Sequence, residues 1–192
     1  MSVATDMEKH TVAVAYDSAK TSPKALAEAL AKGEYPPEGP PRTLAAMPAA
    51  TARILVGKVS QGELFRDYPA FWSNYRSYVP RKDAVEMIAA VTGSHDVLVF
   101  FGTWSKDSES EVPKILRILD VADNRNLKPA LYGVGRDKKE GIGMSERFGI
   151  QRVPTTIVLR DGVELGRIVE YPQTSNEEDL LKILEKNSSL VR

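Results

Sequence analysis

The sequence predicts an α/β chain built on a mixed sheet, and three observations carry that expectation. Val97 to Phe101 is a run of five apolar residues, too short for a helix on its own and rich in β-formers. It reads as a strand buried on both faces. A helical run follows, with Ile115, Leu116, Ile118 and Leu119 spaced as an apolar stripe. Asp161-Gly162 separates two alternating runs, a strong hairpin signal. Parallel crossovers first and an antiparallel pair at the end make the sheet mixed.

The 192 residues make one domain or one and a half, enough to bury a proper core. The 26 basic and 26 acidic residues cancel, so no general pull toward nucleic acid or an acidic membrane is expected. No apolar run approaches the ~20 residues that span a bilayer. MSVATDMEKH lacks the apolar core of a signal peptide, so the chain as written reads as cytoplasmic. It would be periplasmic if a leader has been trimmed. There is no cysteine, which excludes disulfide scaffolding and thiolate metal sites.

The elements follow in order. Residues 1–48 read as an extension and linker, and 49–192 as the main domain. HTVAVAYD is a strand, and SPKALAEALAKG a helix, with Ser22 as N-cap, Pro23 at the first helical position and Gly33 after the end. With its tail EYPPEG this stretch resembles the second half of a heavy-metal-associated domain, but the Cys-x-x-Cys loop is missing. It is therefore read as a plain strand-helix appendage. Pro36, Pro37, Pro40, Pro41 and Pro48 mark a linker or strap. Arg53 to Ser60 reads as a strand and Gln61 to Asp67 as a helix start. Tyr68, Phe71, Trp72, Tyr75, Tyr78 and Val79 fall at helical spacing. They form either an aromatic wall beside a site or, more simply, a buried helix face. Asp83 to Val91 is a short helix, and Gly93-Ser94 a turn before the central strand.

After that strand, Gly102 and Thr103 break the pattern and the helix begins. Pro113 inside it should bend it, since proline has no N–H and crowds the preceding turn. Lys128 to Val134 is the next strand and Met144 to Phe148 a short helix. The Gly133-x-Gly135 and Gly141-x-Gly143 pairs lack the full G-x-G-x-x-G, so they are loop glycines. Lys138 and Lys139 read as solvated. TTIVLR and VELGRIVE form the hairpin. Ser175 to Lys186 closes the chain as a helix, with Glu177, Glu178 and Asp179 in its first turn, where the dipole favours acids.

Chemistry belongs where the buried strand turns into a helix start, because free N–H groups and a partial positive charge stabilise an anion there. Ser105 is the residue best placed to use them. Trp104, Lys106, Asp107 and Ser108 surround it in sequence. FFGTWSKDS resembles the active-site segment of the thioredoxin family, which runs strand, Trp-Cys-x-x-Cys, helix. A bacterial branch of that family has the nearer form G-T-W-C-x-D-S, then E-V-P. Gly102, Thr103, Trp104, Asp107, Ser108, Glu111, Val112 and Pro113 match it, and Ser105 stands at the nucleophilic Cys. FGIQRVPTTIVLRDGVELGRIVE resembles the family's Val-Pro-Thr turn and hairpin. The resemblance spans roughly Ala52 to Lys186.

It implies a thioredoxin fold: a central mixed sheet flanked by helices, here with an N-terminal strand-helix extension. It implies thiol-disulfide exchange on protein or glutathione disulfides, centred on position 105 with Ser108, Trp104 and Asp107 around it. It also implies a cis Pro154 whose preceding backbone, at Val153, pairs with an extended substrate, and Lys106 beside that groove. No cofactor and no metal is implied. The strand acid that assists proton transfer in the family is absent, because Val99 holds its position.

An alcohol neither ionises near pH 7 nor forms a disulfide, so as written the chain is redox-silent and Ser105 caps the helix. The absence of cysteine from such a frame reads as a Cys→Ser replacement, engineered or natural. The alternative is a naturally redox-silent module that binds extended peptides. A serine hydrolase is not supported: the histidines are only His10 and His95, and no G-x-S-x-G elbow exists. Glu109 and Glu111, two apart on a helix, do not face each other as metal ligands would.

Overall fold

In this computed structural model, the structure describes residues 2–6, 11–15 and 53–186. The chain divides into two compact units, Met1–Thr51 and Ala52–Arg192. In the first, β1 (Ser2–Asp6) and β2 (Thr11–Ala15) form an antiparallel ribbon, with Ser2 opposite Ala15. The sequence reading had no strand at β1. The helix expected over SPKALAEALAKG and the proline-rich linker lie outside the described residues.

The second unit is a five-stranded mixed sheet flanked by helices, in the order β3-β5-β4-β6-β7. Its elements are β3 (Gly57–Val59), α1 (Gln61–Asp67), α2 (Pro69–Ser77), α3 (Lys82–Ala89), β4 (His95–Phe101) and α4 (Lys106–Ala122). There follow β5 (Leu127–Gly133), α5 (Met144–Arg147), β6 (Thr155–Arg160), β7 (Val163–Val169) and α6 (Asn176–Glu185). The architecture is an α/β thioredoxin-like fold.

Strand β4 is central because both of its faces are apolar. Val97, Val99 and Phe101 enter one core with Phe71, Ile88, Leu116 and Leu180 from the helices. Leu98 and Phe100 enter the other, with Tyr132, Ile150, Val153 and Ile157. This is the period-two alternation of a strand, covered on both sides. The hairpin between β6 and β7 turns at Asp161 (φ 52°) and Gly162 (φ 77°), both left-handed, as a tight hairpin turn requires.

Three expectations need correction. The strand expected over Arg53–Ser60 shrinks to three residues, because Gly57 takes φ 98° and breaks the extended run. Among the described strands only β4 and β5 pair in parallel; β3 runs antiparallel to β5, so the connection from β3 to β4 is not a parallel crossover. The aromatic segment is not a uniformly buried face. Phe71 is buried against Phe101, whereas Trp72 is 41% exposed and stacks on Tyr75 at the surface.

Pro113 sits within α4, which runs unbroken from Lys106 to Ala122. Proline leaves the carbonyl four residues back, that of Glu109, without its helical donor. Asn74 of α2 supplies one: its Nδ2–H donates to the Glu109 carbonyl at 2.8 Å. The side-chain amide thus replaces the missing backbone N–H and ties α2 to α4. In α6, buried Glu177 accepts from the Tyr78 hydroxyl at 2.7 Å and from the Arg81 N–H at 3.2 Å. Burial, and then that carboxylate, pushes the Tyr78 phenol up.

Candidate functional site

The end of β4 and the start of α4 are joined by Gly102, Thr103, Trp104 and Ser105. Ser105 is the N-cap of α4, in extended backbone (φ −99°, ψ 125°), and its Oγ accepts the Ser108 N–H at 3.3 Å. A capping oxygen satisfies one of the four orphan donors of a helix start. Ser108 is fully buried, and its Oγ accepts the Gly102 N–H at 3.2 Å. Two serines therefore lock the turn, each accepting one backbone N–H of the segment from Gly102 to Ser108. The Thr103 hydroxyl accepts the Leu55 N–H at 3.3 Å, fixing the segment that leads into β3.

Trp104 is half-buried and its Nε1–H donates to the Val134 carbonyl at 2.9 Å. The indole lies against Gly102, where a Cβ would come within 2.6 Å of Cε2. Two cations of the loop after β5 approach the same ring: the Arg136 guanidinium at 5.2 Å and the Lys138 ammonium at 5.0 Å from its centroid. Lys138, read from sequence as solvated, is instead half-buried and left-handed (φ 65°), with its ammonium donating to the Arg136 carbonyl at 2.8 Å. Farther along the loop, buried Glu140 accepts the Ser145 N–H at 3.0 Å and the Ser145 hydroxyl, holding the start of α5. Burial pushes its carboxyl up, but these bonds outweigh burial and hold it below the usual range.

The Val153–Pro154 peptide is cis, and both residues are buried. Phe100 pairs with Thr155 across the antiparallel β4–β6 ladder. One step beyond that pair lie Pro154 and Phe101, so the proline turn sits at the strand end that leads into α4. Val153 belongs to the core cluster on which Trp104 rests. The Pro154 carbonyl accepts the Glu170 N–H at 2.7 Å, whereas among the described residues no backbone hydrogen bond engages Val153.

The remaining candidates have local partners. Lys106 is exposed and pairs with Glu109 at 3.0 Å. Asp107 accepts a hydrogen bond from the exposed Tyr171 hydroxyl, a bond that pushes this phenol up. Sequence reasoning missed Tyr171 and Arg136 because their link to the site spans loops far away in the chain. Val99, at the position of the family's proton-transfer acid, is fully buried. Among the described residues, no group of three His, Cys, Asp or Glu side chains gathers to hold a metal.

No protein-family model matches the chain. Over 107 residues it is 28% identical to a thioredoxin from Echinococcus granulosus, a match covering 55% of this chain and 89% of that protein. This likeness supports a thioredoxin-like family. Among solved structures, a protein of unknown function from Pseudomonas aeruginosa aligns at 16% identity and a TM-score of 0.49, over 69% of this chain and 99% of its own. A mutant thioredoxin from Halobacterium salinarum aligns at 15% identity and a TM-score of 0.38, over 59% and 89%.

Proposed function

We propose that this is a thioredoxin-fold protein of the thiol-disulfide exchange class, of the branch with G-T-W-C-x-D-S, in which Ser105 occupies the nucleophile position. In this form it binds disulfide-bearing or extended peptide partners without exchanging them. The observation that carries the reading is the placement of Ser105: its side-chain oxygen already receives a first-turn N–H of α4. A thiolate at the same position would receive the same N–H and feel the same helix end.

The chemistry follows from that geometry. A thiolate at 105 would attack one sulfur of a disulfide, form a mixed disulfide and release the other sulfur as thiolate. Ser108 offers no second sulfur, and its hydroxyl already accepts from Gly102. The mixed disulfide would then wait for an outside thiol, as suits isomerisation or exchange with glutathione. Val153, which among the described residues has no backbone hydrogen bond of its own, is the group we assign to an extended partner by strand addition. The second reading, a peptide-binding module that never exchanged thiols, is favoured by the absence of any cysteine.

Incubation of the Ser105→Cys variant with oxidised glutathione tests the proposal by mass spectrometry. The expected product is a stable one-to-one glutathione adduct, absent from the parent chain. A variant thiol that stays free under those conditions would reject the exchange reading and leave the binding module.

A further inference from the structure

The two cations on Trp104 are not explained by the exchange chemistry. Arg136 and Lys138 converge on one indole ring, at 5.2 and 5.0 Å from its centroid. Each contact is attractive by itself, since the ring face is electron-rich. Holding two like charges over one ring is unfavourable unless an anion offsets it. Among the described residues neither forms an ion pair with a carboxylate, unlike Lys106, Arg152 and Arg167. Asp137, which lies between them in sequence, uses its Oδ1 to accept the Lys139 N–H at 3.1 Å.

The loop is shaped to hold them there. Lys138 adopts φ 65°, a left-handed conformation that costs an ordinary residue about 1 kcal/mol or more. Its N–H donates to the Gly135 carbonyl at 3.0 Å, and its ammonium folds back to the Arg136 carbonyl. The ring beneath is fixed by Val134 and Gly102. A positively charged platform thus flanks the residue next to Ser105.

We infer that this platform selects acidic partners: extended peptide segments carrying Glu or Asp side chains beside the stretch held at the Val153 turn. The inference rests on the peptide-binding reading above and adds the charge of the partner to it. The occupant is a peptide rather than glutathione alone, because the platform adjoins a strand end where, among the described residues, the Val153 backbone has no hydrogen bond. Arg136 and Lys138 act as specificity-determining residues and take no part in bond making.

Fluorescence anisotropy of labelled synthetic peptides, identical except for Glu, Gln or Lys at the flanking positions, tests this on the full chain. Two solvent-screened ion pairs of up to ~1 kcal/mol each correspond to a preference for the Glu peptide of up to about thirtyfold at low salt. The preference should shrink as salt is raised toward 1 M. The Arg136→Gln/Lys138→Gln variant should bind the Gln peptide as the parent does and lose the preference. Equal binding of the Glu and Gln peptides by the parent overturns the inference while leaving the peptide-binding reading intact. A preference that persists in the double variant also overturns it. So does glutathione binding that depends on the two cations while peptide binding does not. Failure of all three peptides to bind removes the peptide-binding reading and this inference together.

Discussion

The bond from Asn74 to the Glu109 carbonyl stands in for the N–H that Pro113 lacks, and this substitution can be measured as a coupling. Asn74→Ala removes the donor and leaves a partly buried carbonyl with none. The loss is worth about 1 kcal/mol, the usual net value of such a hydrogen bond. Alanine also raises the helix propensity of α2, which offsets part of that loss. A double-mutant cycle removes the propensity contribution. In the Pro113→Ala background the helix regains its own donor to the Glu109 carbonyl, so Asn74→Ala should cost roughly 1 kcal/mol less there. Urea unfolding of the four proteins, monitored by circular dichroism, supplies the free energies. The shift in midpoint for the single Asn74→Ala variant should be about 0.5 M. If Asn74→Ala costs the same in both backgrounds, to within ~0.3 kcal/mol, the amide is not replacing the proline's missing N–H.

Two further outcomes follow from buried groups. His95 is 1% exposed, its Nδ1 contacts the Gly93 carbonyl at 2.9 Å and, among the described residues, its Nε2 has no partner. Burial pushes the imidazole down, with Arg160 adding to the effect against the Gly93 carbonyl. The unfolded chain therefore binds a proton first, so stability should fall as pH drops below ~6.5, until the folded imidazole also protonates. Urea midpoints measured from pH 7.5 to 5 should show that slope, and His95→Gln should flatten it; an unchanged slope in the variant would assign it elsewhere. Gly102→Ala should cost about 1–3 kcal/mol and shift Trp104 emission, because the new methyl meets the indole at 2.6 Å. Wild-type stability and emission would mean that the ring does not rest on Gly102.

What was legible in the sequence was local. The five apolar residues of β4 announce a strand covered on both faces, and Asp161-Gly162 announces its turn through two left-handed residues. Ser105, and Ser175 or Asn176, are read as helix caps from residue type and position; Ser105 and Ser175 each accept a first-turn N–H, whereas Asn176 is the first helical residue. What escaped depends on partners remote in the chain. Pro113 alone says that a helix should bend; that α4 runs on beside an amide from Asn74 is decided 39 residues away. Helical spacing places Trp72 on a line with Phe71 and Tyr75, but only packing decides which ring faces the core. Lys138 looks like any surface lysine until the loop turns it onto Trp104.

The claim at the centre is that position 105 is a site for an anionic nucleophile at a helix start. The thiolate absorbance of the Ser105→Cys variant, followed at 240 nm as pH is raised, tests it most directly. Helix-end effects worth up to ~2 kcal/mol correspond to about 1.5 pKa units, so the thiol should titrate clearly below the ~8.5 of a free cysteine. Because Lys106 is already paired with Glu109, the shift should survive Lys106→Gln. A thiol that titrates at or above ~8.5 would contradict the account, because the first turn of α4 would not then be stabilising an anion at residue 105.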